Sequence, residues 1–360
     1  VISCRACASF YRRSIKAKKK YLCQKGTGKC NLKSQKRSQC RFCRFKKCQE
    51  MGMIIDLTEN ERFSICPDLP DQSTSPKGLN LEFTNWKLKC PDWPTISLFF
   101  KNCLCQKPEY LKNKKMPEIQ RFQIGLQKLL NFSWPLPEVK IVKEIHDPQI
   151  VIDFYSEYLT NVAQMLTYSE FFMKLNIDDR FALFKHFWFN FISIERLYTF
   201  CQFRGYDSND TLYLLDNKHL IESNGFSLQK LTKEEKQKHQ KIHEPLAKIR
   251  YTYINVPFKT MQITLTEFIF LCYLILWDVK LVQNLSSKAI SLGNEVISKV
   301  SDEMHDYYTN ELHNPAYATR IIKLTKLAAD VQRMRENQRQ ITTLAQIFGL
   351  FNILDNELMD

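Results

Sequence analysis

The sequence predicts a small zinc-stabilised module of two short helices, joined by a linker to a mostly α-helical domain. Three observations carry this expectation. Residues 1–50 hold 16 basic residues against one acid, Glu50, a charge of +15, while the other 310 hold 36 basic and 37 acidic residues, or −1. Seven of the 13 cysteines fall in the same 50 residues. From Gln149 onward only Pro245, Pro257 and Pro315 interrupt the chain and glycine is sparse, so long helices are permitted.

The cysteines come first in the chain: Cys4, Cys7, Cys23, Cys30, Cys40, Cys43 and Cys48. A secreted disulfide framework would suit a short chain with an apolar leader. An odd number of cysteines among 16 cations, with no such leader, favours a reducing compartment and a metal. The spacing is Cys4-x2-Cys7, then Cys23-x6-Cys30-x9-Cys40-x2-Cys43. Each x2 pair can offer two thiolates to one ion, with Zn–S near ~2.3 Å. Cys23, Cys30, Cys40 and Cys43 complete one Zn²⁺ site. Cys4 and Cys7 supply half of another, whose remaining ligands are expected upstream of Val1. Reduced structural thiols are the alternative, and packing is the role expected of Cys48.

Between these ligands, Arg5 to Lys16 puts Phe10, Tyr11 and Ile15 on one helical face and cations on the other. Arg41 to Lys47 does the same with Phe42 and Phe45. Two such helices can cross on their aromatic backs, in a core too small to hold without zinc, and their basic faces then point outward.

The runs Cys4-Arg5-Ala6-Cys7-Ala8-Ser9-Phe10-Tyr11-Arg12-Arg13 and Cys40-Arg41-Phe42-Cys43-Arg44-Phe45-Lys46-Lys47-Cys48, followed by Gly52-Met53, resemble a nuclear-receptor DNA-binding domain. They look most like the expanded nematode branch. Two departures stand out: the first finger shows only its trailing cysteine pair, and six rather than five residues separate Cys23 from Cys30. The resemblance implies that the helix from Cys4 enters the major groove of a double-stranded DNA response element. It also implies that the loop Gln24 to Lys29 contacts a dimer partner and that the second helix braces the first. Base contacts are expected from Arg5, Ala6 and Ser9, with Ala8 where the family often carries a base-contacting Lys. An arginine can bond guanine O6 and N7 together, worth roughly 1–3 kcal/mol of discrimination. Arg12, Arg13, Lys16, Arg41, Arg44 and Lys47 are expected on phosphates, positioning without specifying. Lys18, Lys19 and Lys20 are expected to be solvated.

The linker follows. Pro67, Pro70, Pro76, Pro91 and Pro94, with the polar run Asp71 to Ser75, resist continuous helix. The expected division is 1–53, 54–98 and 99–360.

In the last part, Phe172-x2-Leu175-x3-Asp179-Arg180-x2-Leu183-Phe184, with Trp188 and Glu195-Arg196-Leu197 beyond, is similar to the signature joining the third to fifth helices of nuclear-receptor ligand-binding domains. The fold class is then a small zinc-stabilised two-helix DNA-binding module followed by a mostly α helical-sandwich ligand-binding domain. A polar turn, Asn176 to Arg180, would let the second helical run fold back on the first and wall a cavity. The resemblance implies a small lipophilic ligand near Trp188, Arg196 and Thr199. An arginine there can equally pair with a core carboxylate, and the 11 aromatics of residues 171–203 can fill such a cavity themselves. For coregulator binding it implies Lys185 and Glu357, although no Lys stands near Met165 to Thr167 and Asp355 occupies a place where the family's final helix is apolar.

Ile321, Leu324, Leu327, Ala328, Val331, Met334, Ile341, Leu344 and Phe348 recur mostly at three- or four-residue steps, which predicts one long amphipathic helix within 316–348. The resemblance implies that this stripe meets a second copy across a two-fold axis, so self-association is expected to weaken with an Asp at whichever of Leu327, Val331 or Met334 faces outward; the alternative is the domain's own core. Strands are expected only as a short pair near Thr211 to Leu215 and Gly225 to Leu228. Lys233 to Glu244 reads as a solvated helix or loop, and Cys201 and Cys272 as buried. The longest apolar run, Phe268 to Trp277, has ten residues where a membrane span needs about 20, so no membrane partner is expected.

Enzymatic motifs are missing. Gly-x-Gly-x-x-Gly, Gly-x-Ser-x-Gly and a complete P-loop do not occur, and His239-x3-His243 carries Gln240 where a metalloprotease needs Glu. The function expected is a sequence-specific, ligand-regulated DNA-binding transcription factor, not an enzyme. It would act in the nucleus with transcriptional coregulators, as a homodimer or heterodimer. The alternative is a dimerising transcriptional cofactor that no longer binds DNA or ligand.

Overall fold

The computed structural model describes residues 7, 10, 11, 13, 14, 21, 23, 30, 40–51, 82–84, 87–89, 93–106, 108, 116–222, 227, 228 and 233–347. The chain divides into two compact units, Val1–Ser75 and Pro76–Asp360.

In the first unit Cys7, Phe10, Tyr11, Arg13 and Ser14 are helical, and helix α1 spans Arg41–Glu50. The aromatic backs meet as the sequence requires. Tyr11 stacks on Phe45 with ring centroids 5.3 Å apart, Phe10 on Tyr21 at 5.8 Å, and Tyr21 meets Phe45 edge-on at 5.9 Å. The Tyr21 and Ser14 hydroxyls share a hydrogen bond of 2.9 Å, and Cys48 is buried beside this cluster of rings. So small a core needs a metal to hold it.

The second unit opens with a hairpin of β1 (Glu82–Thr84) and β2 (Lys87–Lys89), antiparallel with Phe83 opposite Leu88. Helix α2 (Trp93–Cys105) starts ahead of residue 99, because Pro94 falls in its first turn, where proline costs no hydrogen bond. Then come α3 (Glu118–Ser133), the short strands β3 (Lys140–Ile141) and β4 (Glu144–Ile145), and α4 (Pro148–Leu166). Helices α3 and α4 approach so closely that a Cβ at Gly125 would lie 2.9 Å from the Met165 carbonyl.

After the single turn α5 (Glu170–Met173) runs the 28-residue α6 (Ile177–Arg204). The polar turn expected over Asn176 to Arg180 is shorter than the sequence suggested. Asn176 caps α6 by accepting from the Asp179 N–H at 2.8 Å, and Asp178 and Asp179 lie in the first turn, where the helix dipole favours them. Asp179 also accepts from the backbone N–H and hydroxyl of Ser286 at 2.9 and 2.6 Å, tying the start of α6 to the start of α10 (Ser287–Asp306).

The strand pairing differs from expectation. β5 (Leu212–Leu214) pairs antiparallel with β6 (His219–Glu222), whereas β7 (Ser227–Leu228) runs parallel to β4. The cause is a tight turn: buried Asp216 accepts from the N–H groups of Lys218 and His219, both at 2.7 Å.

Helix α7 (Lys233–Arg250) takes up the charged stretch and passes through the π-helical turn Tyr251–Asn255 into α8 (Val256–Met261). The ten-residue apolar run lies largely in α9 (Leu265–Leu276), where Phe268, Ile269, Leu271, Cys272, Ile275 and Leu276 have no exposed surface. A helix apolar all round is a core helix. It packs against α3, α6, α10 and the long α11 (Ala318–Ile347), forming the middle of the helical sandwich. Among the described residues no helix is long and apolar enough to cross a membrane.

Along α11 the apolar stripe turns inward. Leu324, Leu327, Ala328 and Val331 are buried and Met334 packs against the same core. The surface offered for self-association by these residues is therefore already covered within the chain.

Candidate functional site

Cys23, Cys30, Cys40 and Cys43 bring their sulfurs within 4.8 Å of one another. Cys23 lies 3.7 Å from Cys30, 3.8 Å from Cys43 and 3.9 Å from Cys40. A tetrahedron with Zn–S near ~2.3 Å has edges of about 3.8 Å, so the four thiols fit Zn²⁺. Cys40 immediately precedes α1 and its carbonyl accepts from the Arg44 N–H at 3.0 Å, so the helix start carries both thiols of the x2 pair. The Cys30 N–H adds a 3.4 Å bond to the Cys43 sulfur. In this cluster of thiols Cys30 is pushed up to about 12, first by its hydrogen bond with Cys43 and then by burial. A divalent ion held by these four sulfurs would displace the thiol protons and favour the thiolate form.

Among the described residues the cations of the module divide into two groups. Arg13, Arg41, Lys46 and Lys47 are exposed. Arg44 is drawn inward: one guanidinium nitrogen donates to the Cys7 sulfur at 3.5 Å and the group lies 4.6 Å over the Phe10 ring. The sequence placed it with the outward cations, because helical spacing alone does not separate Arg44 from Lys47. Cys4, Arg5, Ala6, Ser9, Arg12 and Lys16 lie outside the described residues, as does Glu357.

In the helical domain, Arg196 and Thr199 are fully buried on α6. Of the two roles open to Arg196, the core carboxylate fills its contacts. Its Nε and one Nη donate to Glu195 at 2.7 and 2.6 Å, the other Nη donates to the Ser133 carbonyl at 3.1 Å, and the guanidinium lies 5.5 Å from the Phe154 and Tyr158 rings. Thr199 donates to the same carboxylate at 2.7 Å, Ser133 at 3.0 Å and Tyr158 at 2.8 Å. Burial alone would raise the Glu195 carboxyl, but the Arg196 charge and these donors hold it below the usual range. Glu195 is the residue sequence reading missed as a partner. The available signal was an acid beside an arginine in an otherwise apolar helix.

Trp188 is half-buried against the core and its indole N–H is buried with no hydrogen-bond partner. Lys185, one turn ahead of it, is half-buried.

Comparison with known proteins accords with this geometry. Residues 1–55 match the family model of the double treble clef zinc finger, C4 type, and residues 138–348, more than half of the chain, match that of the ligand-binding domain of nuclear hormone receptors. A zinc-finger DNA-binding module followed by a helical ligand-binding domain defines a DNA-binding transcription factor and not an enzyme. The chain belongs to the nuclear hormone receptor family, whose members are generally nuclear. Among similar proteins of Caenorhabditis elegans, nuclear hormone receptor family member nhr-218 is 25% identical over 356 residues, covering 97% of this chain and 90% of its own. Family member nhr-127 is 26% identical, covering 92% of each, and the high zinc activated nuclear receptor protein is 26% identical, covering 98% of this chain and 86% of its own.

Proposed function

We propose that the chain grips a DNA response element in the nucleus with the helix that follows Cys4. Arg5, Ala6 and Ser9 read base edges, and Arg12, Arg13, Lys16, Arg41 and Lys47 hold phosphates. The observation that carries this reading is the set of four sulfurs within 4.8 Å of one another at the head of α1, the helix whose Phe45 stacks on Tyr11. Exposure of Arg13, Arg41 and Lys47 supports the phosphate role. Purified reduced chain should hold about one tightly bound Zn²⁺ at Cys23, Cys30, Cys40 and Cys43. Cys40→Ser should lose both that zinc and DNA affinity. Elemental analysis and a filter-binding titration check both, and unchanged DNA binding by the zinc-free variant would refute the reading.

The same proposal assigns regulation to the helical domain. Trp188 is the ligand-facing group, because a buried N–H without a partner can donate to a lipophilic molecule's single polar atom. Lys185 and Glu357 serve coregulators, and self-association uses the outward face of α11 about Ile322, which is 67% exposed.

A further inference from the structure

Helix α3 begins without a side-chain cap of its own, because Pro117 precedes it. Two carboxylates meet at this helix start instead. Glu303 of α10 accepts the N–H groups of Glu118 and Ile119, both at 2.8 Å, so the positive end of the helix dipole is already matched by a charge from another helix. The Glu118 side chain is left to the core, and the residue is only 4% exposed. Its Oε1 accepts from the hydroxyls of Ser169 and, at 3.0 Å, Tyr273, while Oε2 accepts from the Glu170 N–H at 3.3 Å. Among the described residues no cation pairs with it, and Arg121 and Lys174 each reach Glu170 at 3.3 Å.

We propose that Glu118 is a proton-operated latch, which fastens the start of α3 to α9 and to the α4–α5 turn when its carboxyl is protonated and weakens that junction when it ionises. Its partners suit both forms. A hydroxyl can donate to a carboxylate or accept from a carboxylic acid, whereas a guanidinium or ammonium would serve the ionised form alone. The titratable groups facing it are Tyr273 on α9, Glu303 on α10 and Glu170 on α5, the last engaged by Arg121 and Lys174. Ionisation therefore adds a negative charge near Glu303 with no cation to balance it. Burial, with Glu303 adding a smaller rise, outweighs the three donors and holds the carboxyl above its ordinary 4.5. The unfolded chain releases this proton near 4.5, so the stability given by protonated Glu118 is complete below that pH and is lost as pH rises through the folded value.

The test compares the full chain with Glu118→Gln, a neutral isostere, by urea unfolding between about pH 4 and 8, and reads the ratio of the two unfolding constants. The other titrating groups are common to both proteins and cancel in that ratio. The wild-type constant should rise relative to the variant's above about pH 4.5, by up to about tenfold per pH unit, and then level off. In a Glu303→Gln background the same comparison should level off at a lower pH, because the like charge is gone. A ratio that is flat over the whole range, or that falls as pH rises, would overturn the proposal. If Glu118→Gln does not fold, the infrared spectrum of the wild-type chain decides: a carboxylic-acid band that outlasts the ordinary carboxyls supports the latch, and loss of the whole band with them overturns it.

Discussion

Glu195 and Arg196 are neighbours in the chain and partners in space: the guanidinium reaches the carboxylate at 2.6 and 2.7 Å with both side chains wholly buried. Each guanidinium nitrogen of Arg196 donates, two to Glu195 and the third to the Ser133 carbonyl, so α3 and α6 are fastened through this one pair. Tyr158 brings α4 into the same network.

Removing one charge from such a pair strands the other. Glu195→Gln should destabilise the domain by about 3–5 kcal/mol, because the Arg196 charge would remain buried without compensation. The double change Glu195→Gln with Arg196→Met should recover part of that loss. Urea unfolding followed by circular dichroism measures both; a loss below ~1 kcal/mol for the single change would contradict the network described here.

His186 gives the domain an acid limit. Burial, with the nearby Arg335 charge second, pushes its imidazole down to about 4, and its Nε2 is buried without a hydrogen-bond partner. The unfolded chain takes up this proton near 6.5, so the stability that neutral His186 contributes is complete above that pH and drains away as pH falls towards 4. The loss should be roughly 2–3 kcal/mol over this interval. His186→Gln should flatten the interval, and parallel unfolding curves for the two proteins between pH 7 and 4 would be the contrary result.

The long C-terminal helix separates core from interface. Leu327 and Val331 are 2% and 3% exposed, whereas Ile322 is 67% exposed. Leu327→Asp should therefore unfold the domain, and Ile322→Asp should leave it folded and weaken self-association. Sedimentation at micromolar concentration, with a thermal melt of each variant, checks this. A folded Leu327→Asp monomer would show that the stripe is an interface after all.

Much of this was legible in the residues themselves. The zinc site followed from spacing because a chelating x2 pair at a helix start leaves little geometric freedom. The 33-residue interval without Gly or Pro at 316–348 announced α11. Partners across the fold were harder to read. Ser227 and Leu228 pair with Glu144 and Ile145 because the Asp216 turn had already matched β5 with β6, a competition between near and distant strands that alternation does not rank. Pro94 looked like linker because proline content does not distinguish a first helical turn from a coil. For Arg196 the residues left ligand contact and a core carboxylate both open, since the sequence shows a charge but not that Glu195 meets it.

The most direct measurement of the central claim is selection from a random pool of DNA duplexes by the zinc-loaded full chain. One short motif should be enriched, its preference at one position should relax with Arg5→Ala, and Arg12→Ala should weaken all sequences alike. Zinc-stripped chain and Cys40→Ser should enrich nothing. A loaded chain that recovers no motif, or a Cys40→Ser variant that recovers the same one, would contradict a zinc-dependent, sequence-reading receptor.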